Sequence, residues 1–139
     1  MIDKVNINIK NRTKNDILAY DLTTSALSIL RQTELSGIVE IDLTICGELY
    51  IKKLNSRYRN LDKPTDVLSF PTQQFFCGKT KKDSIPTAPE QPLLLGDIII
   101  CYSVIAKQAK DQNHTVEEEF YHLFKHGIKH LLGFHHKEN

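Results

Sequence analysis

The sequence predicts one α/β domain, of α+β character, in which helices pack on a small mixed β-sheet and a metal site lies at the C-terminal helix. The chain has 139 residues, of which 40% are hydrophobic, and a formal net charge of +1. This length suits a single core, and this composition disfavours disorder. Apolar residues recur alternately at strand spacing and at helix spacing. All six histidines stand at or after position 114, which places any metal chemistry near the C-terminus.

The periodicity of the apolar residues predicts elements in the order β-α-β-α-β-β-α-α. Alternation predicts strands at 5–9, 39–45 and 67–70, and a run that is apolar on both faces predicts a central strand at 93–101. Helical spacing predicts helices at about 15–34, 49–58, 102–112 and 115–132. Residues 71–92 hold four of the five prolines and predict a long loop. We find no repeat or linker, so residues 1–139 are expected to form one domain.

The same composition argues against several classes of protein. No segment has the roughly 18 consecutive apolar residues of a membrane span, and the first residues lack the apolar core of a secretory signal. Cys46, Cys77 and Cys101 are too widely spaced for a close thiolate metal pair and odd in number, so reduced thiols are expected. These observations predict a cytoplasmic protein with no membrane partner. The low net charge confines any nucleic-acid site to a local patch.

The last predicted helix carries signals at both ends. Thr115 followed by Glu118 is a capping-box pattern at its start. Gly133 is predicted to lie just past its end, where a left-handed conformation turns the chain away from the helix axis. A histidine that follows this glycine can therefore return to the end of the helix.

Three histidines have the spacing of a catalytic zinc site. His126 and His130 are four residues apart, so their rings lie on one helix face, and His136 follows three residues after Gly133. This is the ligand spacing of the metzincin motif. Three imidazoles with an open fourth position are typical of catalytic zinc, so we predict one Zn²⁺ ion. The structural alternative is three solvent-facing histidines on a helix and its tail.

Two absences oppose a protease. A zinc protease carries a glutamate directly after the first histidine, where this chain has Gly127. A metzincin also has a methionine turn, and the single methionine here is Met1. His114 and His122 are expected to be surface residues or neighbours of the site.

A basic patch precedes the third predicted strand. Residues 52–63 contain five cations and one acid, Lys52, Lys53, Arg57, Arg59 and Lys63 against Asp62, for a local balance of +4. Such a patch suits local phosphate contact, although a solvated helix face is the alternative for its lysines. Arg59 is the candidate catalytic residue, because a guanidinium can clamp a phosphate and stabilise charge that develops on it.

Two aspartates are further candidates. Asp66 and Asp97 could each orient a neighbouring group. The structural alternatives are a turn at 65–66 and a β-bulge at 96–97.

Three blocks of the sequence resemble the YbeY family of bacterial metal-dependent endoribonucleases. They are LNSRYR with KPTDVLSFP at 54–71, LGDI at 95–98, and HGIKHLLGFHH at 126–136. The blocks follow the order of the family and extend over more than half of the chain. This sequence departs from the family pattern at His135, where aspartate is usual, and at Lys129, where leucine is usual.

The resemblance implies a single α/β endoribonuclease domain with zinc on His126, His130 and His136, and with Arg59 in the cleft. It implies cleavage of single-stranded RNA in rRNA maturation, at the 16S 3′ end, and in ribosome quality control, with rRNA and the ribosomal subunit as partners. The sequence leaves open whether water or the RNA 2′-hydroxyl attacks, what His135 does, and the oligomeric state. The alternatives are a zinc-stabilised RNA- or ribosome-binding module without catalysis and, less favoured, a small zinc protease.

Overall fold

A computed structural model of the chain describes residues 2–72, 75–76, 79–80 and 91–134. The strands of this part are β1 (Ile2–Asn11), β2 (Gly37–Cys46), β3 (Val67–Pro71), β4 (Phe75–Phe76), β5 (Lys79–Thr80) and β6 (Leu93–Cys101). The helices are α1 (Leu22–Leu30), α2 (Glu48–Arg59), α3 (Tyr102–Asp111) and α4 (Val116–Leu131). No helix in these ranges is long and apolar enough to cross a membrane.

The main sheet is mixed, as predicted, with the strand order β1-β2-β6-β3. Strands β1, β2 and β6 are parallel, and β3 runs antiparallel to β6. The interior position of β6 explains its two-sided apolar sequence, because both of its faces are covered by helices. A separate antiparallel pair, β4 and β5, lies within the predicted loop at 71–92. Residues 73–74, 77–78 and 81–90 of that loop are outside the described residues.

Helices cover both faces of the main sheet. α1 packs on β1. α4 lies beside α1 and packs on β6 and β3. Under them lies a large core that includes Ile41, Ile98, Phe120 and Ile128. The opposite face carries a smaller core, in which Ile51 of α2 packs with Cys46, Leu68, Ile99 and Cys101. The two cores place α4 and α2, which carry the candidate residues, on opposite faces of the sheet.

A β-bulge interrupts β6 at Gly96, as the alternative structural interpretation predicts. The pairing with β2 steps from Glu40↔Leu94 to Asp42↔Asp97, so β6 has one extra residue there. Gly96 has φ +148°, and a Cβ atom on it would lie only 2.2 Å from the carbonyl oxygen of Phe70. Glycine is therefore required at this point, where β3 crosses close to the bulge.

The first helix is shorter than the predicted 15–34, because two aspartates redirect the backbone before it. The Asp16 carboxylate accepts a hydrogen bond from the Leu18 amide (2.9 Å), which forms a turn rather than a helix. Asp21 then caps α1 by accepting from the Thr24 amide at 3.1 Å. Ile17 is nevertheless buried, so its apolar character reflects packing of the turn and not helical periodicity.

Candidate active site

Both ends of α4 are formed as the sequence predicts. Thr115 Oγ1 accepts from the Glu118 amide (3.1 Å), and the Glu118 carboxylate accepts from the Thr115 amide (2.9 Å). This reciprocal capping box holds the pKa of Glu118 below its ordinary value. At the other end, Gly133 has φ +83°. Its amide donates to the His130 carbonyl (3.1 Å), and the Phe134 amide donates to the Lys129 carbonyl (2.9 Å), the two bonds of a Schellman motif.

His126 and His130 lie side by side on α4. Their ring centroids are 4.5 Å apart, with an angle of 43° between the ring planes, and both side chains are half-buried. Tyr121, on the opposite flank of the helix, contacts Tyr20 just before α1. Because α1 covers β1 and α4 lies against β3, the histidine flank faces the β3 edge of the sheet.

Gly127 explains why no carboxylate follows the first histidine. A Cβ atom at position 127 would lie 3.0 Å from Cγ2 and 3.1 Å from Cδ1 of Ile98. Position 127 therefore faces the sheet at close range, whereas His126 is rotated about 100° away around the helix. A glutamate at this position would meet the core instead of the imidazoles, so the base of a zinc protease has no place there.

The proposed third ligand, His136, and its neighbour His135 lie outside the described residues. Within the described ranges, no group of three His, Cys, Asp or Glu side chains is arranged to hold a metal ion. The set His126, His130 and His136 therefore stays a prediction, with its first two members adjacent in the structure. His114 and His122 are both exposed.

Arg59 is the last residue of α2, and its side chain is exposed. α2 ends in a different cap from α4: Asn60 is left-handed (φ +57°), and its amide donates to the Ser56 carbonyl, which is the single bond of an αL cap. The Leu61 amide also donates to the Asn55 carbonyl. Arg59 and the two histidines belong to helices that pack on opposite faces of the sheet. The end of α2 does approach β3, where the rings of Tyr58 and Phe70 are 5.1 Å apart.

The segment between α2 and β3 is held by two buried or partly buried polar residues. Asn55, which is 1% exposed, donates through Nδ2 to the Lys63 carbonyl at 2.9 Å. The Asp66 carboxylate accepts from the Val67 amide (2.7 Å) and from Gln108 of α3 (3.3 Å). Asp66 therefore organises the start of β3. The role of Asn55 is not predictable from the sequence, because an asparagine at a core-facing helical position gives no separate signal.

Asp97 faces the α2 side of the sheet and so points away from the histidines. It pairs with Asp42 across β6 and β2. Desolvation by the surrounding protein, and then the neighbouring charge of Asp42, raises the pKa of Asp97. Because its side chain points to the other face of the sheet, Asp97 cannot hold a metal ion together with His126 and His130.

An arginine outside the predicted basic patch, Arg12, contacts α2. The guanidinium carbon of Arg12, just after β1, lies 4.1 Å from the centre of the Tyr50 ring, within the range of a cation–π contact. No sequence signal connects these two residues, which are distant in the chain.

Comparisons with known proteins agree with this architecture. A family model described as "Endoribonuclease YbeY" matches residues 6–139. The endoribonuclease YbeY of Caldicellulosiruptor bescii is 46% identical over 99 residues, which are 71% of this chain and 61% of that protein. That of Dehalococcoides mccartyi strain CBDB1 is 37% identical over 136 residues, or 97% of this chain and 82% of that protein.

A solved structure has the same fold. The solution structure of TM1509 from Thermotoga maritima matches with a TM-score of 0.58 and 27% identity, over 96% of this chain and 76% of that one. Because the family model matches nearly the whole length and the relatives align across it, the chain belongs to the YbeY endoribonuclease family.

Proposed function

We propose that this chain is a metal-dependent endoribonuclease that hydrolyses phosphodiester bonds of single-stranded RNA. Its family membership supports RNA cleavage in rRNA processing. The observation that carries the metal dependence is the pair His126 and His130, with ring centroids 4.5 Å apart on one flank of α4. We place the activity in the cytoplasm, at the 16S 3′ end and in ribosome quality control, with rRNA and the ribosomal subunit as partners.

The donor set fits a zinc ion. Imidazole nitrogen is a preferred zinc ligand, and two imidazoles from one helix with a third from the following segment leave a coordination position open. The Schellman motif at Gly133 reverses the chain immediately before the segment that contains His136. We therefore assign His126, His130 and His136 to one Zn²⁺ ion. When bound, such an ion would supply a Lewis acid for a phosphate oxygen.

We assign substrate binding to Arg59. Its guanidinium can donate two parallel hydrogen bonds to a phosphate and stabilise negative charge that develops during cleavage. The side chain is exposed, and in the described part of the chain no carboxylate neutralises it. The capped end of α2 and the Asn55 bond to Lys63 fix the backbone on both sides of Arg59.

The structure opposes one of the two alternative functions, the zinc protease, but does not separate the other, the RNA-binding module, from the proposed nuclease. A zinc protease is opposed by Gly127, because Ile98 occupies the space of the required glutamate side chain. An RNA-binding module without catalysis shares the basic residues and the histidines, so an assay of bond cleavage is needed to separate it from the proposed nuclease.

The test combines metal analysis with RNA cleavage. His130→Ala is expected to abolish both bound zinc and cleavage of labelled single-stranded RNA. Arg59→Ala is expected to retain the zinc and to lose about a hundredfold in cleavage, the typical cost of removing one such group. His122→Ala is the matched control, because His122 lies one turn earlier on α4 and is exposed; it should retain both properties.

Three outcomes would decide against the proposal. A zinc-free His130→Ala protein that still cleaves RNA would exclude the metal from the reaction. Wild-type protein that binds RNA and zinc but never cleaves RNA would establish the binding-module alternative. Digestion of unfolded casein that depends on His126 would establish the protease.

A further inference from the structure

We infer that RNA is bound beyond the scissile bond by one face of α2 together with Arg12, and that a base stacks on the Arg12–Tyr50 pair. This inference rests on the proposed function, because it describes how the substrate of that site continues along the surface. We call the surface the basic α2 face and define it by Arg12, Tyr50, Lys53, Arg57 and Tyr58.

The first observation is the geometry of Arg12 and Tyr50. Tyr50 is half-buried and packs against the small core around Ile51, so its ring is held in place. Arg12 is exposed, and its guanidinium carbon lies 4.1 Å above that ring. The backbone of Arg12 is fixed as well, because its amide donates to the Ile45 carbonyl at 2.8 Å. The result is an exposed guanidinium held against a tyrosine ring, and RNA bases stack on arginine guanidinium groups.

A second Arg–Tyr pair lies at the other end of α2. The guanidinium carbon of Arg57 is 5.6 Å from the centre of the Tyr58 ring. Tyr58 is 56% exposed, although its ring also makes an edge-on contact with Phe70. An exposed aromatic ring braced by a second ring and accompanied by a cation is a stacking platform for single-stranded nucleic acid.

The charge of this face is not compensated. Residues 50, 53 and 57 follow the spacing i, i+3, i+7, so Tyr50, Lys53 and Arg57 share one stripe of the helix. In the described part of the chain, none of the cations of α2 or Arg12 forms an ion pair with a carboxylate. Unpaired cations interleaved with tyrosines favour a polyanion that also carries flat rings, and single-stranded RNA has both features.

The length of the face sets the length of RNA it can hold. Tyr50 and Tyr58 are eight residues apart on α2, which corresponds to about 12 Å. At about 3.4 Å per stacked nucleotide this is roughly four nucleotides. A trinucleotide bound at Arg59 is therefore too short to reach Arg12, whereas a dodecanucleotide reaches it.

The experiment measures binding of fluorescein-labelled 2′-O-methyl oligouridylates by anisotropy. Arg12→Ala is expected to raise the Kd of the dodecanucleotide about tenfold through loss of one stacked base and one cation. Tyr50→Leu keeps the apolar packing and should weaken binding to a similar extent. Arg12→Ala should also reduce the salt dependence of log K by about one ion, and Tyr50→Leu should leave it unchanged.

Matched controls separate this effect from general damage. Lys110→Ala removes an exposed cation from the end of α3 and should leave both affinities unchanged. The trinucleotide should bind wild type, Arg12→Ala and Tyr50→Leu equally. Thermal unfolding of each variant identifies any protein that fails to fold, and Arg12→Lys, which retains the charge, then supplies a second test of the stacking.

The inference is overturned if folded Arg12→Ala, Arg12→Lys and Tyr50→Leu all bind the dodecanucleotide within about twofold of the wild type. It is also overturned if a polyglutamate peptide displaces the dodecanucleotide at equal charge concentration, since the face would then recognise charge alone. Failure of the proposed function has a different signature: His130→Ala leaves cleavage intact, or no cleavage occurs, while the length-dependent effect of Arg12 on binding persists.

Discussion

Ile98 of β6 lies directly against Gly127 of α4, where a Cβ atom would be 3.0 Å from the isoleucine Cγ2. We predict that Gly127→Leu destabilises the fold by about 2 kcal/mol, because a larger side chain must separate the helix from the central strand. Ile98→Ala should cost about 3 kcal/mol on its own by leaving a cavity. The double variant should be more stable than the sum of these losses predicts, because the new leucine fills that cavity. Urea unfolding of the four proteins measures this coupling, and strict additivity would contradict the direct contact.

Gly96 and Gly47 should respond in opposite ways to the same substitution. Gly96→Ala is expected to cost more than about 3 kcal/mol, because its φ of +148° is combined with a Cβ position 2.2 Å from the Phe70 carbonyl oxygen. Gly47, the N-cap residue of α2, has extended backbone and nothing within 4 Å of its Cβ position. Gly47→Ser should therefore be neutral or stabilise by a few tenths of a kcal/mol through a new cap bond. Thermal unfolding of the two variants tests the contrast, and equal Tm losses would refute it.

The capping box of α4 predicts a dependence of stability on pH. Hydrogen bonds from the Thr115 backbone and side chain hold the pKa of Glu118 below its ordinary value of 4.5. The folded protein therefore binds this proton less readily than the unfolded chain. The resulting stabilisation is present above pH 4.5 and is lost as the pH falls through the lower folded pKa.

Glu118→Gln isolates this contribution, because glutamine can still accept the backbone hydrogen bond but does not titrate. We expect the free energy of unfolding of the wild type to fall more than that of the variant between about pH 6 and about pH 3. Urea titrations at both pH values measure the difference. An identical loss in both proteins would show that the capping box does not bind the carboxylate form selectively.

Cys46 should be unreactive in the folded protein. It is fully buried on the α2 side of the sheet, and burial together with the neighbouring Cys101 raises its pKa to about 12. Thiolate is the reactive form, so alkylation by iodoacetamide near neutral pH should spare Cys46 until the protein unfolds. Mass spectrometry of peptides labelled with and without urea measures this. Equal labelling in both conditions would contradict the closed core under α2.

The sequence predicted best those features whose signals are local. Thr115, Glu118 and Gly133 mark both ends of α4 within a few residues of where their hydrogen bonds form, and His126 and His130 are neighbours because helical geometry alone brings them together. The central position of β6 is also predictable, because a strand covered on both faces carries apolar residues on both of them. The membership of His136 in the ligand set stays a prediction.

Features that hydrophobic periodicity does not reveal are predicted less well. The sequence predicts the start of α1 too early, because Ile17 and Leu18 continue the helical spacing of apolar residues. Asp16 and Asp21 instead set a turn and a cap through hydrogen bonds to the Leu18 and Thr24 amides. The Arg12–Tyr50 pair has no sequence signal, because the two residues are distant in the sequence and the pairing of β1 with β2 brings them together. The packing of α2 and α4 on opposite faces of the sheet cannot be derived from the sequence either, since periodicity does not indicate on which side of a sheet a helix packs.

Two glycines give α4 and β6 a reciprocal fit. Gly127 on the helix accepts Ile98 of the strand, and Gly96 on the strand accepts Leu131 of the helix, whose Cδ2 would lie 2.9 Å from a Cβ atom there. Each histidine of the pair directly precedes one of these interlocking positions, 127 or 131. If the helix slid or rotated by one residue, a side chain would have to occupy a space that now holds only a glycine hydrogen atom. The contacts of residues 127 and 131 with β6 thus fix the positions of the two imidazoles. Transfer of this ligand pair to another scaffold would therefore require both glycines to be transferred with it.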